Sequence, residues 1–219
     1  MGLSGLVEER PFQGRVPAAN HCVLQSEARL PVQNLVYPNT MGQPTALGGQ
    51  VTRDEYYMNI AMAVRKKANC LGRKVGAVIV KQNRIIATGY NGTPEGMTNC
   101  FDGGCVRCKN REAFAASVGY DVCICVHAEL NALITAARFG NSIEDAVLYS
   151  TLRPCFDCTK SMVQAKVHTI YYIHNWQHPI DTLQEQYLLA QDKLRGGVRQ
   201  LDIFDPEADW ANGKVSKPA

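Results

Sequence analysis

His127-Ala-Glu-Leu-Asn-Ala-Leu-Ile-Thr-Ala-Ala-Arg-Phe-Gly140, then Ala146-Val-Leu-Tyr-Ser150, then Pro154-Cys-Phe-Asp-Cys158 read as a helix, a strand and the start of a second helix. Apolar residues recur at helical spacing from His127 to Phe139, and Gly140 supplies the stop. Ala146–Ser150 is a short apolar run of strand length. Pro154 suits a position just before a helix, because it needs no amide hydrogen bond there, so a helix is predicted over Cys155–Ala165. Downstream, Thr169–His174 reads as a strand, Ile180–Leu194 as a helix and Val198–Ile203 as a last strand. Upstream, Thr52-Arg-Asp-Glu55 is a capping box that opens a helix carrying Tyr56, Ile60, Ala63 and Val64. Lys74–Val80 and Ile85–Tyr90 form a hairpin across a turn at Lys81–Arg84. Strands alternating with helices predict a mixed sheet with helices on its faces.

The composition sets the frame for these elements. The chain has 219 residues, 46% hydrophobic and 20% charged, enough for a sizeable core and against wholesale disorder. No run of about 18 apolar residues exists to span a membrane, and the N-terminus has no basic-then-apolar leader. The net charge of +3 is too small to argue for nucleic acid. A soluble, cytoplasmic protein is expected. Residues 1–50 differ from the rest: they hold five of the ten prolines, no lysine and only six charged residues. They are expected to be an N-terminal extension, either disordered or an arm in which Leu30, Val32, Leu35, Val36 and Tyr37 bury a neighbour. Residues 51–205 are expected to form the catalytic domain and 206–219 a C-terminal tail.

Cysteine usage points to metal. Of nine cysteines, eight lie between Cys70 and Cys158, and an odd count without a secretion leader fits a disulfide framework badly. His127, Cys155 and Cys158 make the donor set of a catalytic zinc site, three protein ligands with a fourth position open for water. Both motifs lie at predicted helix starts, where free amide N–H groups favour thiolates and hydroxide. Glu129, two residues from His127, shares the site without being a ligand and can relay a proton from water to a substrate nitrogen. Taken singly the parts are weak: a lone Cys-x-x-Cys is also a redox pair or buried packing.

In order along the chain come Asn69-Cys70, Val75-Gly-Ala-Val-Ile-Val80, Gly89-Tyr-Asn-Gly-Thr-Pro94, Asn99-Cys100, His127-Ala-Glu-Leu-Asn-Ala132 and Thr151-Leu-Arg-Pro-Cys-Phe-Asp-Cys158. With these motifs residues 53–205 resemble the deoxycytidylate (dCMP) deaminases of the zinc-dependent cytidine deaminase superfamily, whose His-x-Glu and Pro-Cys-x-x-Cys signature is general. Gly-Tyr-Asn-Gly-x-Pro narrows the likeness to the dCMP branch. The resemblance implies a three-layer α/β/α fold with a five-stranded mixed sheet, and hydrolysis of dCMP to dUMP and ammonia. It implies that His127, Cys155 and Cys158 bind Zn2+, and that Glu129 protonates N3 of the cytosine and then the leaving amino group. It also implies a homo-oligomer, a hexamer in many relatives, with dCTP and dTTP as effectors.

Four residues are candidates for substrate contact. Asn91 matches an asparagine at the family's pocket mouth, although Asn-Gly after a strand is also a common turn. Ala128 lies between ligand and carboxylate. Arg138 is a candidate for the phosphate or a solvated helix-end arginine. Trp176 stands where relatives place a tyrosine, and either stacks on the base or covers the sheet edge.

The remaining cysteines are more numerous than one site needs. Cys105-Val-Arg-Cys108 has the spacing of a structural zinc site. Cys70, Cys100 and Cys123 align with cysteines of relatives that carry a non-catalytic zinc. With Cys125, which alternatively lines the active site, they make six candidates for four places. A second zinc would staple the long stretch Asn91–Val126. Three rival functions share the core: a deaminase of bases in tRNA or single-stranded DNA, a deaminase of dCTP or another cytosine nucleotide, and a zinc-stabilised binding module without catalysis. For the first, Arg65-Lys-Lys67 and Arg73-Lys74 offer only a modest basic cluster.

Overall fold

In the computed structural model the described residues are 49–113 and 123–211. Nearly all of the expected extension, its apolar arm residues included, lies outside them. Helix α1 spans Arg53–Arg65 and starts as its sequence dictates. The Thr52 hydroxyl accepts from the Glu55 amide at 3.2 Å, and the Glu55 carboxylate accepts from the Thr52 amide at 2.8 Å. Strands β1 (Gly76–Lys81) and β2 (Arg84–Tyr90) follow. They turn through Gln82 and Asn83, at φ 50° and 59°, the paired left-handed conformation that suits the twist of a two-residue hairpin. The other elements are α2 (Val106–Lys109), α3 (Ala128–Arg138), β3 (Val147–Leu152), α4 (Phe156–Gln164), β4 (Thr169–His174), α5 (Asp181–Gln191) and β5 (Val198–Gln200).

The strand order is β2-β1-β3-β4-β5. β1 pairs antiparallel with β2 and β3, whereas β3–β4 and β4–β5 are parallel. Successive side chains leave a strand on opposite faces, and both faces here are covered. Val78, Val80, Tyr149 and Ile173 pack with Tyr57, Met58, Ala61 and Met62 of α1. Ala77, Ile79, Leu148 and Ile170 pack on the other side with Ala128, Ala132 and Ala136 of α3, Met162 of α4 and Tyr187 of α5. This is the expected three-layer α/β/α arrangement with a five-stranded mixed sheet.

Two glycines set the spacing between the layers. A β-carbon on Gly76 would lie 2.1 Å from the Ala61 carbonyl of α1, and one on Gly89 would lie 2.1 Å from the Ala128 carbonyl of α3. The obstacle in both cases is helix backbone, which cannot swing aside. Gly89→Ala is therefore expected to lower stability by about 1–3 kcal/mol through overpacking and to push the start of α3 off the sheet. Urea unfolding checks this; unchanged stability would mean that α3 yields freely at Ala128.

The elements differ from expectation mainly at their ends. The last strand stops at Gln200 rather than Ile203, yet Leu201 and Ile203 still pack on the α1 side of the core. Short α2 lies inside the stretch expected to be loop. Residues 206–211 of the expected tail fold back beside α1. Glu207 meets Lys66 at 3.2 Å, the Trp210 carbonyl accepts from the Lys74 amide at 3.0 Å, and the Trp210 ring lies 4.2 Å from the Lys74 ammonium.

Candidate metal centre and active site

The functional side chains gather where α3 and α4 begin. His127 is the N-cap of α3 and Cys155 the N-cap of α4, with Cys158 in the first turn of α4. α4 follows directly from β3, so strand and helix together fix both thiols. The Tyr187 hydroxyl of α5 donates to the Pro154 carbonyl at 2.7 Å and anchors the turn just ahead of Cys155. On the other side, the Val126 amide donates to the Gly92 carbonyl at 2.9 Å and the Gly92 amide donates back at 3.2 Å. That bridge sets the residue before His127.

The three donor atoms face one another. His127 Nδ1 lies 3.3 Å from Cys155 Sγ and 3.5 Å from Cys158 Sγ. Tetrahedral zinc with Zn–S about 2.3 Å and Zn–N about 2.0 Å requires S···N separations of about 3.5 Å, so the geometry fits the ion. Protonation tells the same story. A hydrogen bond from Cys158 holds the Cys155 thiol down at about 4 against its burial, while Cys158 is pushed well above its ordinary value. Burial works against a charged His127 ring, but the Cys155 thiolate outweighs it and raises the ring to about 9. One thiolate, one thiol and an imidazolium are what three donors hold when protons stand in for a cation, and a dication displaces those protons.

Glu129 stands beside this trio. Its side chain is buried, with Oε1 accepting from the Ser150 hydroxyl at 3.3 Å and Oε2 3.7 Å from Cys158 Sγ. The convergent donor group contains His127, Cys155 and Cys158 without it. Burial pushes its carboxyl above the usual carboxylate range, as suits a group that carries a proton. Ser150 was not singled out in the sequence. Its signal was there: a polar residue alternating with Leu148 and Leu152 on a strand face that turns toward α3.

The four substrate candidates take different places. Ala128 is fully buried in the first turn of α3, between ligand and carboxylate. Asn91 is buried with both ends of its amide engaged: Oδ1 accepts from the Val75 amide at 2.8 Å and Nδ2 donates to the Arg73 carbonyl at 2.7 Å. Trp176 is buried edge-on against Tyr187 and His178, at 5.2 and 5.8 Å between ring centres. Arg138 is solvent-exposed, 3.7 Å from a still more exposed Glu95. Arg153 had no role assigned from sequence. It bonds Asn175 and Gln191 and lies over the Tyr172 and Tyr187 rings.

The other cysteines converge as well. Cys70, Cys100, Cys108 and Cys125 form one group of sulfurs, and Cys105, Cys108, Cys123 and Cys125 another. All are free thiols, and only Cys123 is less than fully buried. No helix among the described residues is long and apolar enough to cross a membrane.

Comparison with known proteins agrees with this geometry. Residues 51–174 match the model of the cytidine and deoxycytidylate deaminase zinc-binding region. A deoxycytidylate deaminase of Schizosaccharomyces pombe is 44% identical over 121 residues, covering 54% of this chain and 36% of that protein. One from Mycobacterium phage D29 is 37% identical, covering 54% of this chain and 92% of that protein. A solved dCMP deaminase from the cyanophage S-TIM5, in complex with dCMP and dUMP, is 32% identical with a TM-score of 0.53, covering 67% of this chain and 95% of that one. The chain spans well under half the length of the yeast relatives it matches, 36% and 38%. With the signature in place and its donors converging at two helix starts, the chain belongs to the zinc-binding cytidine and deoxycytidylate deaminase family.

Proposed function

We propose that this chain hydrolyses dCMP to dUMP and ammonia. The observation that carries the reading is a buried carboxylate, Glu129, set beside a three-donor metal pocket rather than within it. His127, Cys155 and Cys158 would hold the zinc and leave a coordination position open. When bound, zinc acts as a Lewis acid and brings the pKa of a water toward neutrality. Glu129 takes a proton from the attacking water and places it on N3 of the cytosine. It then moves a proton to the amino nitrogen on C4, so that the C4–N bond breaks, ammonia leaves and a carbonyl remains. Ser150 holds the carboxylate in place through its hydroxyl.

Choice of dCMP is supported by the Gly89–Pro94 motif and by the relatives named above. Polynucleotide is disfavoured by what the basic run does in the fold. Arg65 is buried against Asp205, Lys66 pairs with Glu207, and Lys74 lies over Trp210. Ala128, between His127 and Glu129 in the first turn of α3, and Trp176, buried against Tyr187, are the substrate-side candidates. Asn91 acts by clamping Arg73 to Val75 at the entrance of β1, and Arg138 is left as a surface candidate for phosphate. The reading extends to a structural zinc in the cysteine pocket, a catalytic domain over residues 51–205, and a homo-oligomer, a hexamer in its commonest form. Ile134 and Phe139, exposed at the end of α3, are an apolar surface suited to such contacts. The eight cysteines among the described residues form no disulfide, which suits a reducing, cytoplasmic setting.

The test is ammonia release by the purified full chain from dCMP, dCTP, deoxycytidine and a cytosine-containing oligonucleotide, with dCTP and dTTP also added as effectors. We expect dCMP to be preferred by about 100-fold or more in kcat/KM. Preference for dCTP would keep the chemistry and change the substrate. Turnover of the oligonucleotide alone would overturn the mononucleotide reading, and full zinc with no turnover of any substrate would favour a binding module.

A further inference from the structure

Six thiols are one and a half times what a closed zinc site needs, and their arrangement says how all six are used. Cys70 and Cys100 converge with Cys108 and Cys125, and Cys105 and Cys123 converge with the same Cys108 and Cys125. Within each group all four sulfurs lie within 4.8 Å of one another. Neither Cys70 nor Cys100 enters a group with Cys105 or Cys123. A mononuclear site needs only one such group of four sulfurs. Two groups that share two members have instead the connectivity of two tetrahedra joined along an edge.

We propose that this pocket is a binuclear metal centre, in which Cys108 and Cys125 bridge two zinc ions, Cys70 and Cys100 complete one tetrahedron, and Cys105 and Cys123 complete the other. The proposal rests on reading the cysteine pocket as a metal site and is independent of the substrate.

Distances agree with it. A Zn–S bond of about 2.3 Å sets tetrahedral S···S edges of about 3.8 Å. Cys70 and Cys108 are 3.9 Å apart, Cys108 and Cys123 are 3.9 Å, and Cys105 and Cys123 are 3.7 Å. Cys108 thus stands at bonding-edge distance from a terminal sulfur of each tetrahedron, which a bridge must do.

Charge does not oppose a second ion. Two dications with six thiolates carry the same net charge as one dication with four thiolates and two protonated thiols, so the second zinc replaces two protons. An all-thiolate donor set selects zinc over harder divalent cations. Terminal sulfurs already have donors: the Leu71 amide points at Cys100 Sγ and the Gly72 amide at Cys70 Sγ, each at 3.3 Å. Such outer hydrogen bonds stabilise a thiolate ligand.

A metal staple suits the surrounding chain. Among the described residues, the buried cluster here is made of cysteines, with Leu71, Cys123 and Ile124 packed against it. Metal binding holds a segment in place without a large apolar core. What it holds matters: Cys125 is two residues from His127, so the centre fixes the chain that delivers the catalytic ligand.

Native mass spectrometry of the full zinc-loaded chain tests the proposal, with a Cys155→Ser/Cys158→Ser variant to remove the catalytic ion. We expect about three zinc ions per wild-type chain and about two in the variant. Replacement by cadmium-113 should give two cluster resonances split by each other through the shared sulfurs. All six cluster cysteines should resist iodoacetamide until a chelator is added. One zinc in the variant, with two of the six alkylated, would reduce the centre to a single ion and overturn the bridging. Two cluster signals without mutual splitting would overturn it as well. No zinc in the variant would dismiss the pocket as a metal site altogether, while dCMP turnover measured alongside would report on the catalytic reading separately.

Discussion

Glu129→Gln is expected to lower kcat for dCMP by about 10²–10⁴-fold, the range over which a positioned general acid–base acts, while the chain keeps its full zinc content. The amide has nearly the same shape and can still accept from Ser150, but it cannot take the proton of a water or return one to N3. Zinc should stay because His127, Cys155 and Cys158 converge without the carboxylate. Stability separates this role from a structural one. Burial pushes the Glu129 carboxyl up, so folding works against its ionisation, and the neutral amide should leave the melting temperature unchanged or higher. Activity within tenfold of wild type, or zinc lost together with activity, would remove Glu129 from the proton relay.

What the sequence made legible was mostly local. The Thr52 capping box, the hairpin through Gln82-Asn83, and the stop of α3 before Gly140 each depend on residues a few positions apart. The metal trio was legible because two short motifs each mark a helix start. Partners distant in sequence were not. Arg65 lay in a run that read as a modest basic cluster, yet its partner is 140 residues away. Asn91 sits in a motif that does not distinguish a backbone clamp from a ligand contact, since either use leaves the same letters. The six cysteines showed an excess over four ligand places, but spacing alone cannot sort them into groups. Strand β5 pairs with β4 as far as Gln200, and the Leu201 amide makes a last bond to the Tyr172 carbonyl, while Leu201 and Ile203 go on burying apolar surface from irregular backbone, and periodicity sees only the burial.

Asp205→Asn is expected to destabilise the fold by about 3–5 kcal/mol, the range seen when one partner of a buried ion pair is removed. The Arg65 guanidinium meets both oxygens of Asp205 at 2.6 Å, with side chains 0% and 1% exposed. His174 Nε2 lies 2.6 Å from the same carboxylate, and the Glu207 amide donates to it at 2.9 Å. The pair therefore ties the end of α1 to the end of β4 and to the chain beyond β5, and losing it leaves a guanidinium buried under Trp210 with only the partly exposed Glu207, at 3.2 Å, as counter-charge. A pH profile tests the same contact. Burial alone would push the Asp205 carboxyl up, but Arg65 and His174 outweigh it and hold it well below the usual carboxylate range. A group with a depressed folded pKa stabilises fully above its unfolded pKa of about 3.9 and loses that contribution as pH falls toward the folded value. Urea unfolding of the wild type should thus weaken progressively below about pH 4, and the Asp205→Asn profile should be flatter there. Replacing both partners, Arg65→Met with Asp205→Leu, should recover most of the loss, because an apolar pair leaves no buried charge. A loss under about 1 kcal/mol from Asp205→Asn at neutral pH would place the pair with solvent-screened surface bridges, and α1 would then be held chiefly by its apolar face on Val78, Val80, Tyr149 and Ile173.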